Sequence, residues 1–260
     1  MPQPGALPAW NSRWALFLDV DGTLLDIADH PDAVRTTPRL KLLVRRAALE
    51  LDGAVALVSG RAIADLDRLF MPLALPTAGL HGIERRSADG TMHFRATLED
   101  QLHEVKRELM AFVENRSGLL LEDKGAALAL HYRNAPALAA EADRVMARVA
   151  DAAGEQFHVQ RGKMVLELKP AGQDKGTAIL QFMQESPFAG RIPIFAGDDI
   201  TDEDGFVVVN GMGGESIRVG DGQATTAAHR VGSVVELLAW LEHNLLGDES
   251  GNKETAHVDA

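Results

Sequence analysis

Three short, uninterrupted apolar runs constrain this chain most: WALFL (14–18), AVALV (54–58) and IPIFA (192–196). None alternates apolar with polar residues. Runs of this kind suit strands covered on both faces, as in a parallel sheet flanked by helices. Helical patterns lie between them. Thr37 and Pro38 read as an N-cap and first helical residue, and Leu40, Leu43, Val44, Ala47 and Leu51 then share one face. Ile63, Leu66, Leu69 and Phe70 form the next stripe, followed by a short strand at 76–80. Strand and helix alternate again after residue 172. The expected fold is α/β, with a Rossmann-like parallel-sheet core.

The middle of the chain has a different rhythm. Strand-like segments at 91–95, 119–124, 127–133, 157–160 and 164–168 accompany two helical stripes, at 98–113 and 138–149. One sheet carrying two helices is an α+β unit. The expected organisation is a first core half over 13–84, an inserted α+β cap over 85–168, a second core half over 169–246, and flexible ends at 1–12 and 247–260. KPAG (169–172) reads as the return hinge.

Charge and composition exclude several functions. The 260 residues hold 26 Lys plus Arg against 38 Asp plus Glu, a net charge of −12. A general nucleic-acid binder needs a basic surface to displace counterions, so that class is set aside. With no cysteine, disulfides, thiolate metal sites and thiol nucleophiles are impossible. No apolar run approaches the ~18 residues that span a membrane. The first residues lack the charged start and apolar stretch of a secretory signal. A cytoplasmic monomer acting on a small molecule, with no nucleic-acid or membrane partner, is expected.

The chemistry-bearing residues sit where the buried runs end. In open α/β sheets, ligands bind beyond the carboxyl ends of the strands. The first run ends in Asp19-Val20-Asp21-Gly22-Thr23, which alone also reads as a polar turn or a calcium loop. The second ends in Ser59-Gly60-Arg61, a hydroxyl and backbone N–H groups suited to a phosphate oxygen or to an ordinary N-cap. Lys175 opens a helix, where a cation opposes the macrodipole unless an anion is bound nearby. The last run ends in GDDITDED (197–204). Its acids repel one another unless a cation or a helix N-terminus absorbs the charge, and Thr201 is a candidate cap for a helix beginning at Asp202.

These four strand ends, in this order, resemble the four motifs of the haloacid dehalogenase superfamily of phosphatases. The segments DVDGTL (19–24), VSGR (58–61), GLHG (79–82), EDKGAALALHYR (122–133), MVLELKPAGQDKG (164–176) and GDDITDED (197–204) resemble, more narrowly, its trehalose-6-phosphate phosphatase family. Val20 departs mildly, since an aromatic residue is commoner between the two acids. The resemblance implies that Asp19 attacks phosphorus to give an aspartyl-phosphate, and that Asp21 protonates the leaving sugar oxygen and later activates water. It implies Mg²⁺ held by Asp19, the Asp21 backbone carbonyl and Asp198, with Asp199 and Asp202 as positioning groups. Ser59 and Lys175 would hold the other phosphoryl oxygens, and Gly22, Thr23 and Arg61 would line the substrate.

Sugar recognition would fall to the insert. Strand alternation puts Glu122 and Lys124 on one face. By resemblance, Glu122, Lys124 and Glu167 face glucose units, with His131 and Arg133 as further candidates. A cross-strand charge cluster on a solvated sheet is the alternative for all five. His81 either lines the rim or holds the hinge. Three readings follow: a trehalose 6-phosphate phosphatase; another capped sugar-phosphate phosphatase, of sucrose-phosphate or mannosyl-phosphoglycerate type; or a catalytically silent sugar-phosphate-binding module.

Overall fold

The computed structural model describes residues 7–27, 34–94, 99–125, 127–154, 157–172, 174–221 and 224–246. Residues 1–6 and 247–260, part of the expected flexible ends, and Leu98 of the first cap stripe lie outside the described residues. The apolar runs form β1 (Trp14–Leu18), β2 (Val55–Val58) and β10 (Ile192–Gly197), with every residue of β1 and β2 buried. They lie side by side and parallel: Phe17 is opposite Phe195 on one side and Ala56 on the other. Each continuous apolar run therefore has a sheet neighbour on both edges and helices over both faces. β3 (Thr77–Gly79), β11 (Glu215–Val219) and β12 (His229–Val231) extend the parallel array.

α1 (Pro38–Glu50) starts as expected, with the Thr37 side chain accepting from the Leu40 N–H and Pro38 in the first turn. α2 (Ile63–Phe70) buries Ile63, Leu66 and Phe70. α5 (Lys175–Phe182) is capped by Asp174, which accepts from the Thr177 N–H. α6 (Glu203–Gly211) and α7 (Val234–Leu246) complete the core. α5 packs on α6, and α1 packs on α7.

Two expectations need correction. β4 (Glu84–Arg86) and β5 (Met92–Phe94) do not join the insert's sheet. They pair antiparallel beyond β3 and complete an eight-stranded sheet of order β12-β11-β10-β1-β2-β3-β4-β5. A hairpin turning at Asp89-Gly90 follows β3 after only the short 80–83 turn, so its antiparallel return along the β3 edge needs little connecting chain. The segment at 7–12 is also not loose. Trp10 lies 5.4 Å from Trp14 and 5.9 Å from Trp240, centroid to centroid, and the Trp240 Nε1–H donates to the Pro8 carbonyl.

The second sheet is antiparallel, of order β6-β7-β9-β8: β6 (Leu120–Asp123), β7 (Leu128–His131), β9 (Val165–Pro170) and β8 (Phe157–Gly162). Leu128, Leu130, Leu166 and Leu168 point to one face, and pack against Leu102, Val105 and Leu109 of α3 (Glu99–Glu114) and Val145, Met146 and Val149 of α4 (Ala139–Ala153). The register then decides the other face. Glu122, Ala129, Glu167 and Gln160 stand in one row across the four strands, and His158 stands beside Lys169 in the next. Glu122, Lys124, Glu167 and Lys169 thus share a polar face, because successive strand residues alternate.

Phe17, Phe182 and Phe188 are fully buried and cluster with centroids 5.1–6.0 Å apart, joining β1 to the end of α5. Phe188→Ala should cost about 3–5 kcal/mol in urea unfolding. A midpoint unchanged from the parent would contradict this packing.

Candidate active site

One ammonium group organises the carboxyl edge of the large sheet. Lys175, in the first turn of α5, is 3% exposed, and its Nζ lies 2.7 Å from Asp19 Oδ1 and 2.7 Å from Asp202 Oδ1. Asp19 follows β1, and Asp202 closes the short 3₁₀ turn after β10. Burial alone would strip the lysine of its proton, but Asp19 and Asp202 reverse this and hold its pKa well above the ordinary value. Removing one partner from such a buried pair costs about 3–5 kcal/mol, because the remaining charge stays uncompensated. The awkward cation at a helix start is therefore answered by carboxylates from two other elements.

Asp202 has little capacity left. Its Oδ2 accepts the Asp198 and Asp199 backbone N–H groups, each at 3.0 Å, while Oδ1 takes Lys175. Asp199, rather than the expected Thr201, caps the turn: it accepts from the Thr201 N–H and hydroxyl and completes a capping box with Asp202. α6 accordingly begins at Glu203, not at Asp202. Two of the acids in GDDITDED are thus occupied in shaping their own loop. Arg218 of β11, also buried, donates to the Asp199 carbonyl at 2.8 Å and braces the loop from the neighbouring strand. An arginine set between Ile217 and Val219 of a short strand was the available signal for it.

Asp198 remains, and it faces Asp19. Ligand oxygens of Asp19, Asp198 and Asp202 lie within 4.8 Å of one another. Burial, opposed by Lys175 and reinforced by Asp198, pushes the Asp19 carboxyl up to about 7. Burial, with repulsion from Asp202 and Asp199, pushes Asp198 to about 7 as well. A single lysine cannot neutralise this group. Gly22 takes a left-handed φ of +84°, and a Cβ on it would collide with the Asp198 carboxylate. The loop after β1 can approach Asp198 only because residue 22 has no side chain. The all-oxygen cluster is one that could hold a hard metal ion.

The residues expected to face phosphate lie at the same edge, with two adjustments. Ser59 is buried and its Oγ accepts the Arg61 N–H at 3.2 Å. Thr23, expected to line the substrate, is fully buried and gives its hydroxyl to Asp19 Oδ2 at 3.1 Å, so it orients Asp19 instead. Arg61 grips Asp21 in a bidentate pair, Nε to Oδ2 at 2.6 Å and Nη2 to Oδ1 at 2.7 Å. The Asp21 carboxylate consequently stands outside the Asp19–Asp198–Asp202 group.

From the second sheet, Lys124 and Glu167 reach the same region. Lys124 Nζ binds Glu167 Oε1 at 2.9 Å and approaches the Gly60 carbonyl at 3.4 Å. Burial favours a neutral acid, yet hydrogen bonds from His81 and Lys124 prevail and hold Glu167 well below the usual carboxylate range. Glu122 pairs with His131 at 2.8 Å. Arg133 lies exposed in the turn after β7 and is not brought to this group. Gln160, missed in the sequence, stands in the Glu122–Glu167 row with its Oε1 buried and unpartnered among the described residues.

The carboxylate load has a measurable sign. With native values near 7 and unfolded values near 4, Asp19 and Asp198 bind more protons folded than unfolded between those limits. Metal-free stability should therefore fall as pH rises through that window. Asp198→Asn removes one charge and should raise the Tm of the chelator-treated protein at pH 8 by roughly 2–4 °C, with little change at pH 4.5. A lower Tm at pH 8 would contradict the assignment.

Similarity to known proteins agrees with this geometry. The trehalose-phosphatase family is matched over residues 17–231. A probable trehalose-phosphate phosphatase of Sinorhizobium fredii is 47% identical over 229 residues, covering 88% of this chain and 85% of the relative. The trehalose-6-phosphate phosphatase of Escherichia coli is 42% identical over 235 residues, covering 90% and 88%. A solved trehalose-6-phosphate phosphatase related protein superposes with a TM-score of 0.75 at 26% identity, over 90% of this chain and 99% of the other. Haloacid dehalogenase-type phosphatases share the fold at lower identity. Among the described residues no helix is long and apolar enough to cross a membrane. With the loops after β1 and β10 meeting on one buried lysine, the chain belongs to the trehalose-phosphatase family.

Proposed function

We propose that this chain hydrolyses trehalose 6-phosphate to trehalose and phosphate by way of a phosphoryl group carried on Asp19. The observation that carries this reading is the convergence of Asp19, Lys175, Asp198 and Asp202 in one buried cluster, beside Ser59 and under Lys124 and Glu167. Asp19 is oriented by Lys175 on Oδ1 and Thr23 on Oδ2, and a remaining lone pair of its carboxylate attacks phosphorus. As that bond forms, the bond from phosphorus to the sugar oxygen breaks, and Asp21 gives its proton to the departing alkoxide. Asp21 must first part from Arg61 and take up a proton from solvent, and the Arg61 guanidinium can then meet a phosphoryl oxygen. In the second half, water attacks phosphorus, Asp21 takes its proton, and the Asp19 carboxylate is restored. Ser59 and Lys175 hold the equatorial oxygens where charge develops.

The residues fit Mg²⁺. Asp202 already accepts three donors, so Asp19, Asp198 and the Asp21 backbone carbonyl would hold the ion, in keeping with its preference for one or two carboxylates plus water and phosphate. When bound, it supplies positive charge between an anionic nucleophile and an anionic substrate. The four-stranded unit acts as a cap. Glu122, Lys124 and Glu167, with His131 supporting Glu122, offer acceptors and a donor for sugar hydroxyls.

A phosphate-release assay across phosphorylated sugars tests the reading. Turnover should need Mg²⁺, stop with a chelator, and favour trehalose 6-phosphate over glucose 6-phosphate and sucrose 6-phosphate. Equal turnover of all three would contradict it. Asp19→Asn should lower kcat by roughly 10⁴-fold or more. Binding of the sugar phosphate without turnover by the parent chain would instead establish a silent binding module.

A further inference from the structure

The loop after β3 holds a histidine that the phosphoryl chemistry does not use. Leu80 and His81 both adopt left-handed backbone angles, with φ of 49° and 55°. Neither is glycine, and adjacent residues in that region persist only where surroundings over-determine them. His81 is 8% exposed. Its Nε2 lies 3.1 Å from Glu167 Oε2, on the cap strand β9. Gly60 makes room for the ring: a Cβ at residue 60 would stand 2.7 Å from His81 Nε2.

The chemistry of the contact is one-sided. An ionised carboxylate only accepts, so the proton belongs on Nε2. Burial, with Lys169 and Lys175 nearby, opposes a charged imidazole. Nδ1 is then a bare acceptor, buried and without a partner among the described residues. A core that positioned this ring for its own stability would have satisfied both nitrogens. Instead the ring is spent on Glu167. Lys124 holds Oε1 of the same carboxylate, so two donors fix its plane and leave its remaining lone pairs in set directions.

The loop is also tied to the phosphate side. The His81 N–H donates to the Ser59 carbonyl and the Leu80 N–H to the Arg61 carbonyl, each at 3.0 Å. We propose that His81 is a positioning residue for sugar recognition, fixing Glu167 from the core so that the sugar-facing carboxylate is held in register with the Ser59 loop. This rests on the reading that Glu167 meets the sugar. Discrimination between a disaccharide phosphate and a small aryl phosphate therefore depends on His81, while attack on phosphorus does not.

The test compares kcat and KM for trehalose 6-phosphate and p-nitrophenyl phosphate in the Mg²⁺-loaded protein. His81→Gly accepts the left-handed backbone and removes the donor. His81→Asn tolerates the same backbone and keeps an N–H. His81→Gly should raise KM for trehalose 6-phosphate by roughly tenfold or more, the range of a lost hydrogen bond to a charged group, and leave p-nitrophenyl phosphate turnover within about twofold. His81→Asn should recover part of that KM. In a Glu167→Ala background, His81→Asn should have no further effect on KM, because the acceptor through which it acts is gone. An equal loss on both substrates, or undiminished preference for trehalose 6-phosphate in both His81 variants, would overturn the role of His81. A parent enzyme with no preference for trehalose 6-phosphate would overturn the sugar reading itself, and this inference with it.

Discussion

A single buried ammonium shared between Asp19 and Asp202 sets the terms for the rest of this molecule. Desolvating that charge is expensive, and only two carboxylates at hydrogen-bond distance make it tolerable. Those carboxylates come from the loops that follow β1 and β10, adjacent and parallel strands, while the lysine comes from α5. The sheet order is therefore not incidental to the chemistry. It places the strand ends so that one cation serves several anions, and leaves Asp19 and Asp198 with more negative charge than the protein neutralises. That residual charge is what suits the cluster to a metal ion, at some cost to stability above neutral pH.

The core was readable because burial on both faces leaves an unmistakable trace. WALFL, AVALV and IPIFA have no polar residue to place on a solvated side, so their assignment as inner parallel strands follows from composition alone. Polar residues directly after such runs had to emerge at the sheet's carboxyl edge, and Asp19, Ser59 and Asp198 do. Thr37 and Asp174 announced their helices by ordinary capping chemistry.

What escaped the sequence is set by contacts far apart along the chain. The β4–β5 hairpin reads equally well as part of either sheet, and only its pairing with β3 decides. Whether Asp199 or Thr201 caps the turn depends on where Asp202 is held by Lys175, a residue 27 positions away. Thr23 reads as a substrate contact until the Asp19 carboxylate is seen to take its hydroxyl. Arg61 and Asp21 are 40 residues apart, and their bidentate pairing has no local signature. On the cap, alternation correctly grouped Glu122 with Lys124, but the row that adds Glu167 and Gln160 requires the register of four strands.

The structure links its two halves through the Ser59–Gly60–Arg61 turn. Ser59 accepts from the Arg61 N–H and Arg61 grips Asp21, the Gly60 carbonyl meets Lys124 of the second sheet, and the space above Gly60 admits His81. The central claim, that Asp19 carries the phosphoryl group, is tested most directly by acid-quenching the enzyme within its first turnover on trehalose 6-phosphate and mapping modified peptides by mass spectrometry. The account predicts a phosphoryl adduct on the peptide containing Asp19, at the residue itself, formed before phosphate appears in solution. Phosphate released in that first turnover with no protein-bound phosphoryl group at any time point would contradict it.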